Sequence, residues 1–281
     1  MPFLEIRAGA SPQEDAVPGA APRGLAYDLH LPAGAVGDVC VVWCHGFGSS
    51  RRSSKADYFS RRFPFSGLAF CAFDFEGHGD SSGTMLEASF SRHIEALGHM
   101  LDFLRGEGFR RFVLFGSSMG GGVSAWTATR RPDDVAAAIF IAPGFYLEGG
   151  VRRRLGEQGF ARWQDEGRVL LEHELGAFEL DWRMVEDLRT YDRADLPPIY
   201  RTPTLIFQGK RDEDVDWRMV LQFAVDCPAD NVQLHLLTDG DHRLAGRLPL
   251  LWELSRAFLR ERGLWPAAAA ANAEDGGPGD D

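Results

Sequence analysis

The chain has 281 residues, 44% of them hydrophobic and 25% charged, and carries a formal net charge of −11. That hydrophobic share suits a globule with a full core. The acidic balance excludes the basic face that nucleic-acid binding needs, and the short clusters Arg51-Arg52, Arg61-Arg62 and Arg152-Arg153-Arg154 read as solvated faces.

The N-terminus, Met1-Pro2-Phe3-Leu4-Glu5, lacks the basic-then-apolar pattern of a secretion signal. No run approaches the ~20 apolar residues of a membrane span, so the expectation is a cytoplasmic chain without an integral membrane segment. Strand-like runs at Phe3–Arg7 and Gly24–His30 have no helix between them and are expected to pair antiparallel. Further strands are expected at Val39–Cys44, Leu68–Asp74, Arg111–Phe115, Val135–Ile141, Pro203–Gln208 and Val232–Leu237. The middle and later runs are almost continuously apolar, which marks strands covered on both faces, as in a parallel sheet. Helical patterns fall between many of them, at Lys55–Phe63, Glu87–Leu104, Gly120–Arg130, Val215–Val225 and Leu248–Arg260. Alternating strand and helix predicts an α/β fold with a mostly parallel eight-stranded sheet flanked by helices.

From Phe145 to about Tyr200 no good strand is evident, and the interval reads as a helical lid inserted over the sheet, where α/β folds build their sites. Residues 1–144 and 201–262 then form the two parts of the core, and 263–281 a disordered acidic tail. The peptide Asp181-Trp182-Arg183-Met184-Val185 recurs at Asp216-Trp217-Arg218-Met219-Val220, but no other register repeats at that offset, so it reads as coincidence. Cys40, Cys44, Cys71 and Cys227 form neither a C-x-x-C pair nor a zinc pattern, and read as small buried hydrophobes in a reducing compartment.

The chemistry concentrates at Leu114-Phe115-Gly116-Ser117-Ser118-Met119-Gly120-Gly121-Gly122, where a strand-like run meets a helix-like one and reads G-x-S-x-G. A serine at that join sits on a tight turn with its Oγ exposed above the sheet, and only small neighbours fit around it. A serine hydroxyl needs a histidine base, and the histidine needs a carboxylate. Asp212, three residues past Gly209 at a strand end, is the favoured acid. Asp214 and Asp216 are the alternatives, one of which would cap the next helix. His242 follows the last strand, whereas His235 lies inside it. Donors for an oxyanion are expected from the backbone N–H groups of Met119 and Phe47. His45, in the Phe47 loop, reads as structural, and Asp74 and the glycines of the following loop read as loop-shaping. Glu76, His78 and Asp80 form only a weak metal pattern. No metal or cofactor is expected.

Taken in order, His45-Gly46-Phe47-Gly48, Asp74 through Ser81, Gly116 through Gly121, Gly209 through Val215 and Asp241-His242 resemble the α/β-hydrolase superfamily over about residues 24–262. The doubled serine and Asp241-His242-Arg243-Leu244 are similar to small esterases and thioesterases of the palmitoyl-protein thioesterase and acyl-glucuronide esterase type. There is also similarity to serine aminopeptidase-like and monoacylglycerol lipase-like hydrolases. The resemblance implies Ser118, Asp212 and His242 as a triad acting on a small-molecule ester or thioester, with an acyl-enzyme on Ser118. Phe145, Tyr146, Phe160, Trp163 and Trp182 would then form the acyl pocket, or equally the lid's own core. An aminopeptidase reading would need a lid carboxylate for a free amine, from Glu148, Glu166, Glu172, Glu174 or Glu179. A reading of another class is a non-catalytic binding protein on a hydrolase scaffold.

Overall fold

The computed structural model describes residues 2–6, 23–173, 176–228 and 231–266. Arg7 and the tail from residue 267 onward lie outside the described residues. The core strands are β1 (Phe3–Ile6), β2 (Arg23–His30), β3 (Val39–Cys44), β4 (Ala69–Phe73), β5 (Arg111–Ser117) and β6 (Val135–Ile141). A hairpin of β7 (Arg168–His173) and β8 (Gly176–Asp181) stands apart, and β9 (Thr204–Gly209) and β10 (Val232–Leu237) complete the main sheet. The helices are α1 (Ser54–Phe65), α2 (Phe90–Gly106), α3 (Met119–Arg130), α4 (Leu147–Glu166), α5 (Arg183–Leu188), α6 (Leu196–Ile199), α7 (Trp217–Asp226) and α8 (Leu248–Glu261).

The main sheet has the order β1-β2-β4-β3-β5-β6-β9-β10. β1 pairs antiparallel with β2, and β2 antiparallel with β4; every other pairing is parallel. The expected eight strands and the antiparallel first pair are therefore present. Along β3, Val39, Val41 and Trp43 join the core under α1 and α8, while Cys40, Val42 and Cys44 join the core under α2, α3 and α7. Both faces are covered, which is why the run is apolar without alternation. Strand order reverses between β3 and β5, and the loops leaving these two strands open a crevice at their C-terminal ends. That is where an open α/β sheet places its ligands.

Residues 145–200 correct one expectation. The interval is not wholly helical: β7 and β8 pair antiparallel, with Val169 opposite Leu180 and Leu171 opposite Phe178. Leu171 and Leu180 are buried while Leu170 and Glu179 face out. The period-2 pattern is therefore present, but it spans only a few residues, too few to separate from a helical reading. The start of the expected tail is a second correction, since Leu264 is buried and the Trp265 ring packs on Trp252 at 5.6 Å. The repeated pentapeptide shares one local feature: Asp181 and Asp216 each accept a 3.0 Å bond from the amide two residues on, although only Asp216 is the N-cap of its helix, α7.

All four cysteines are buried and free. Among the described residues no helix is long and apolar enough to cross a membrane.

Candidate active site

β5 ends at Ser117 and α3 begins at Met119, so the whole turn is Ser118. Its backbone has φ 52° and ψ −120°, a conformation L residues rarely adopt. Its N–H donates to the Ile141 carbonyl at 2.9 Å, and its own carbonyl accepts from the amides of Gly121 (2.9 Å) and Gly144 (2.8 Å). Bonds to the end of β6, to the first turn of α3 and to the loop after β6 thus hold the strained residue in place. The helix start also lies tight against the β3 end. A Cβ on Gly120 would fall 2.1 Å from the Cys44 carbonyl oxygen, so only glycine fits there.

The loops after β9 and β10 meet through backbone. Lys210 and Arg211 amides donate to the carbonyls of Leu237 and Gly240, each at 2.8 Å. A Cβ on Gly209 would lie 2.3 Å from the Gly240 oxygen. This contact brings Asp212 and His242 together, with Nδ1 of the imidazole 2.9 Å from Oδ2 of the carboxylate. Oδ2 also accepts from Gln208 Nε2 at 3.0 Å, and Oδ1 accepts from the amides of Asp214 (3.0 Å) and Val215 (2.7 Å). The Asp212 side chain is fully buried, and its two oxygens take part in four hydrogen bonds. Of the other two carboxylates, Asp214 pairs with Arg154 at 2.7 Å and Asp216 caps α7.

A cavity of about 560 Å³ lies over this end of the sheet. Ser118, His242, Phe47 and Met119 all line it. The insertion contributes Tyr146, Leu147, Val151, Leu171, Met184 and Leu188 to its walls. Of the five aromatic residues expected in an acyl pocket, Tyr146 alone lines this cavity. Phe160, Trp163 and Trp182 pack on one another at centroid distances of 5.2–6.0 Å and form the insertion's own core. Phe145 stacks on Phe223 at 4.1 Å and lines a neighbouring cavity of about 570 Å³. Side chains of one type serve a core and a pocket equally well, so composition could not separate the two.

The Phe47 loop is anchored from both ends. His45 accepts at Nε2 from the Phe75 amide (3.0 Å), so its proton is on Nδ1, which donates to the Gly46 carbonyl at 2.8 Å. Burial, aided by His78, pushes its pKa down to about 3 and keeps it neutral. At the far end, the Arg51 amide donates to Asp74 Oδ1 at 2.6 Å. Its guanidinium pairs with Asp74, and with Asp28 and Asp80 at 2.9 Å each. The expectation that Arg51 belongs to a solvated face is corrected here. Arg52 is exposed, but the Arg51 side chain is buried, because carboxylates distant in sequence surround it. Arg152 and Arg154 also have partners, in Glu148 and Glu157 and in Asp214.

The weak metal pattern at Glu76, His78 and Asp80 dissolves into other roles. Glu76 pairs with Arg23, His78 Nδ1 bonds the Glu76 carbonyl, and Asp80 pairs with Arg51. Asp212, Asp214 and His242 each offer a ligand atom within 4.8 Å of the others. Those donor atoms, however, are engaged with one another, with amides and with Arg154, an arrangement that suits proton transfer better than ligation. The sequence reading missed Lys55, which lines the cavity and donates to Ser117 Oγ at 3.1 Å. The signal available was its rarity, as Lys55 and Lys210 are the chain's two lysines.

Comparison with known proteins agrees with this architecture. Residues 37–164 match the family model described as serine aminopeptidase, S33. The mouse palmitoyl-protein thioesterase ABHD10, mitochondrial, is 26% identical over 212 residues, which cover 73% of this chain and 69% of the relative. The solved mouse alpha/beta hydrolase domain-containing protein 10 superposes with a TM-score of 0.72 at 23% identity, covering 85% of this chain and 95% of that one. Est1E from Butyrivibrio proteoclasticus, solved with ferulic acid bound, gives 0.76 at 21% identity over 85% and 96%.

Proposed function

From its α/β-hydrolase fold and its similarity to esterases and thioesterases, we propose that the chain cleaves carboxylic esters or thioesters through an acyl-enzyme on Ser118. The observation that carries this reading is the Asp212–His242 bond, with His242 lining the same cavity as Ser118. With the Nδ1 proton held by Asp212, the lone pair of His242 is on Nε2, the atom that takes the proton of the Ser118 hydroxyl. The serine oxygen attacks the acyl carbonyl. Backbone amides of Phe47 and Met119 stabilise the oxyanion, each such donor contributing ~2.7–4 kcal/mol. The imidazolium protonates the departing alcohol or thiol, and water activated by His242 then releases the acid and restores the serine.

Residues 145–200 act in this reading as the lid that shapes the substrate site, supported by their share of the cavity wall. Four free cysteines support a reducing compartment such as the cytoplasm. The walls carry Lys55, Arg154 and Arg243, and their carboxylate at the rim, Asp214, is paired with Arg154. That charge balance favours acyl donors without a free amine over aminopeptidase substrates. Glu148, an expected amine anchor, is held by Arg152 and Arg189, and Glu174 lies outside the described residues.

The test is fluorophosphonate labelling with intact-mass detection, run beside a panel of ester, thioester and amino-acid anilide substrates. One adduct per chain on Ser118 and turnover of the esters or thioesters are expected. Folded protein that takes no label would instead favour a binding protein on a hydrolase scaffold.

A further inference from the structure

Twenty-eight of the chain's 30 basic residues are arginine, and of its two lysines one faces the candidate active site. Lys55 lies in the first turn of α1, in the cavity wall beside Ser53, Ser54 and Ser117. Its ammonium donates to Ser117 Oγ at 3.1 Å. Among the described residues no carboxylate lies within ion-pair distance of it. An ammonium has three donors, so two are left for whatever fills the cavity. Desolvation lowers its pKa to about 8; Arg243 pushes the same way, and Asp241 and Asp212 push back. A partly desolvated cation without a counter-ion is costly unless an anion is supplied from outside. A lysine suits this place because its charge is compact and its stem adapts to the anion's position.

The electrostatic neighbours of Lys55 also show which part of a substrate it would meet. Arg243, Asp241 and Asp212 belong to the two loops that carry and orient His242. The leaving group departs on the imidazole side, because the imidazolium protonates it.

We propose that the Lys55 ammonium recognises an oxyanion, carboxylate or phosphate, borne by the alcohol or thiol portion of the substrate. This rests on the acyl-enzyme reading above and narrows it to esters whose leaving group carries negative charge. Lys55 acts on specificity, and takes no part in bond making or breaking.

The experiment compares acetyl esters of three phenols of similar size: 4-hydroxybenzamide, 4-hydroxybenzoate and 4-hydroxyphenyl phosphate. kcat/KM is measured at pH 7 for the native protein, Lys55→Met and Lys55→Arg. The native protein is expected to favour one anionic ester over the amide ester by about tenfold, as a charge-assisted bond allows, and the better anion identifies the source. The ratio should collapse in Lys55→Met and largely survive in Lys55→Arg. The proposal is overturned if the native protein turns over all three esters alike, or if Lys55→Met lowers all three in proportion, as a purely structural role through Ser117 would. A second measurement does not depend on turnover. Acetic anhydride modification of the two lysines is followed by peptide mapping, with Lys210 as the internal control. Free 4-hydroxybenzoate or 4-hydroxyphenyl phosphate should protect Lys55, and 4-hydroxybenzamide should not. Protection without ester turnover would keep the anion site and reject the hydrolase reading. Turnover without protection would do the reverse.

Discussion

Asp212 Oδ2 lies 2.9 Å from His242 Nδ1, while Asp214, two residues further on, is engaged by Arg154. The two carboxylates are close in sequence and differ in what they can do to the imidazole. Asp212→Asn removes the charge and offers an amide to Nδ1, which favours the wrong tautomer. A fall in kcat of about 10³–10⁴-fold is expected on that ground. Asp214→Asn breaks a half-exposed pair worth up to ~1 kcal/mol, so its effect should stay within about fivefold. Steady-state ester hydrolysis by the two variants checks this, and the reverse ranking would transfer the acid role to Asp214.

Ser118→Ala and His242→Ala are each expected to lower kcat by roughly 10⁴–10⁶-fold, and the double variant should be little worse than either. Groups that act as one unit are lost together when either is removed. Multiplicative losses in the double variant would mean that the two side chains act independently.

Arg51 and Asp74 are both fully buried, and each closes the other's charge. Arg51→Met leaves the Asp74 carboxylate without its main partner and should cost about 3–5 kcal/mol of stability. Adding Asp74→Asn should recover part of that loss, because the remaining penalty is the unpaired charge. Urea unfolding of the two variants against the native protein measures both effects. Equal stability of Arg51→Met and the native protein would show that this network does not anchor the Phe47 loop.

Three buried histidines set an acid limit on stability. His45 stays neutral down to about pH 3 in the folded chain, and burial shifts His78 and His93 in the same direction. An unfolded histidine titrates near 6.5. Above that pH neither state takes up the proton and stability is complete. As pH falls below it, the unfolded chain binds protons that the folded chain excludes, so stability is lost progressively. For His45 alone the loss at pH 5 is about 2 kcal/mol. Urea-unfolding free energies should therefore fall between pH 7 and pH 5. His93→Phe should flatten that slope, since Nδ1 of His93 has no hydrogen-bond partner to lose.

Much of the architecture was legible because its signals are local. Apolar runs covered on both faces marked β3, β5, β6 and β9, and the glycines around Ser118 marked a turn with no room for side chains. Asp212 and His242 could be nominated because each follows a strand end in chain order. The β7–β8 hairpin was not legible, because its alternating residues are few and sit between helices that set no register for them.

Which side chains meet is a different kind of information. Arg51 and Arg52 are identical in sequence terms, yet one is sealed among Asp28, Asp74 and Asp80 and the other faces water. Phe160, Trp163 and Trp182 look as suitable for a pocket as Tyr146, and packing sends three to a private core and one to the cavity. Lys55 gains its meaning from a hydroxyl 62 positions away. Local pattern determines strands, helices and turns because backbone geometry and apolar spacing act over a few residues. Burial, pairing and cavity walls arise from contacts between distant segments, and these exist only once the chain has closed on itself.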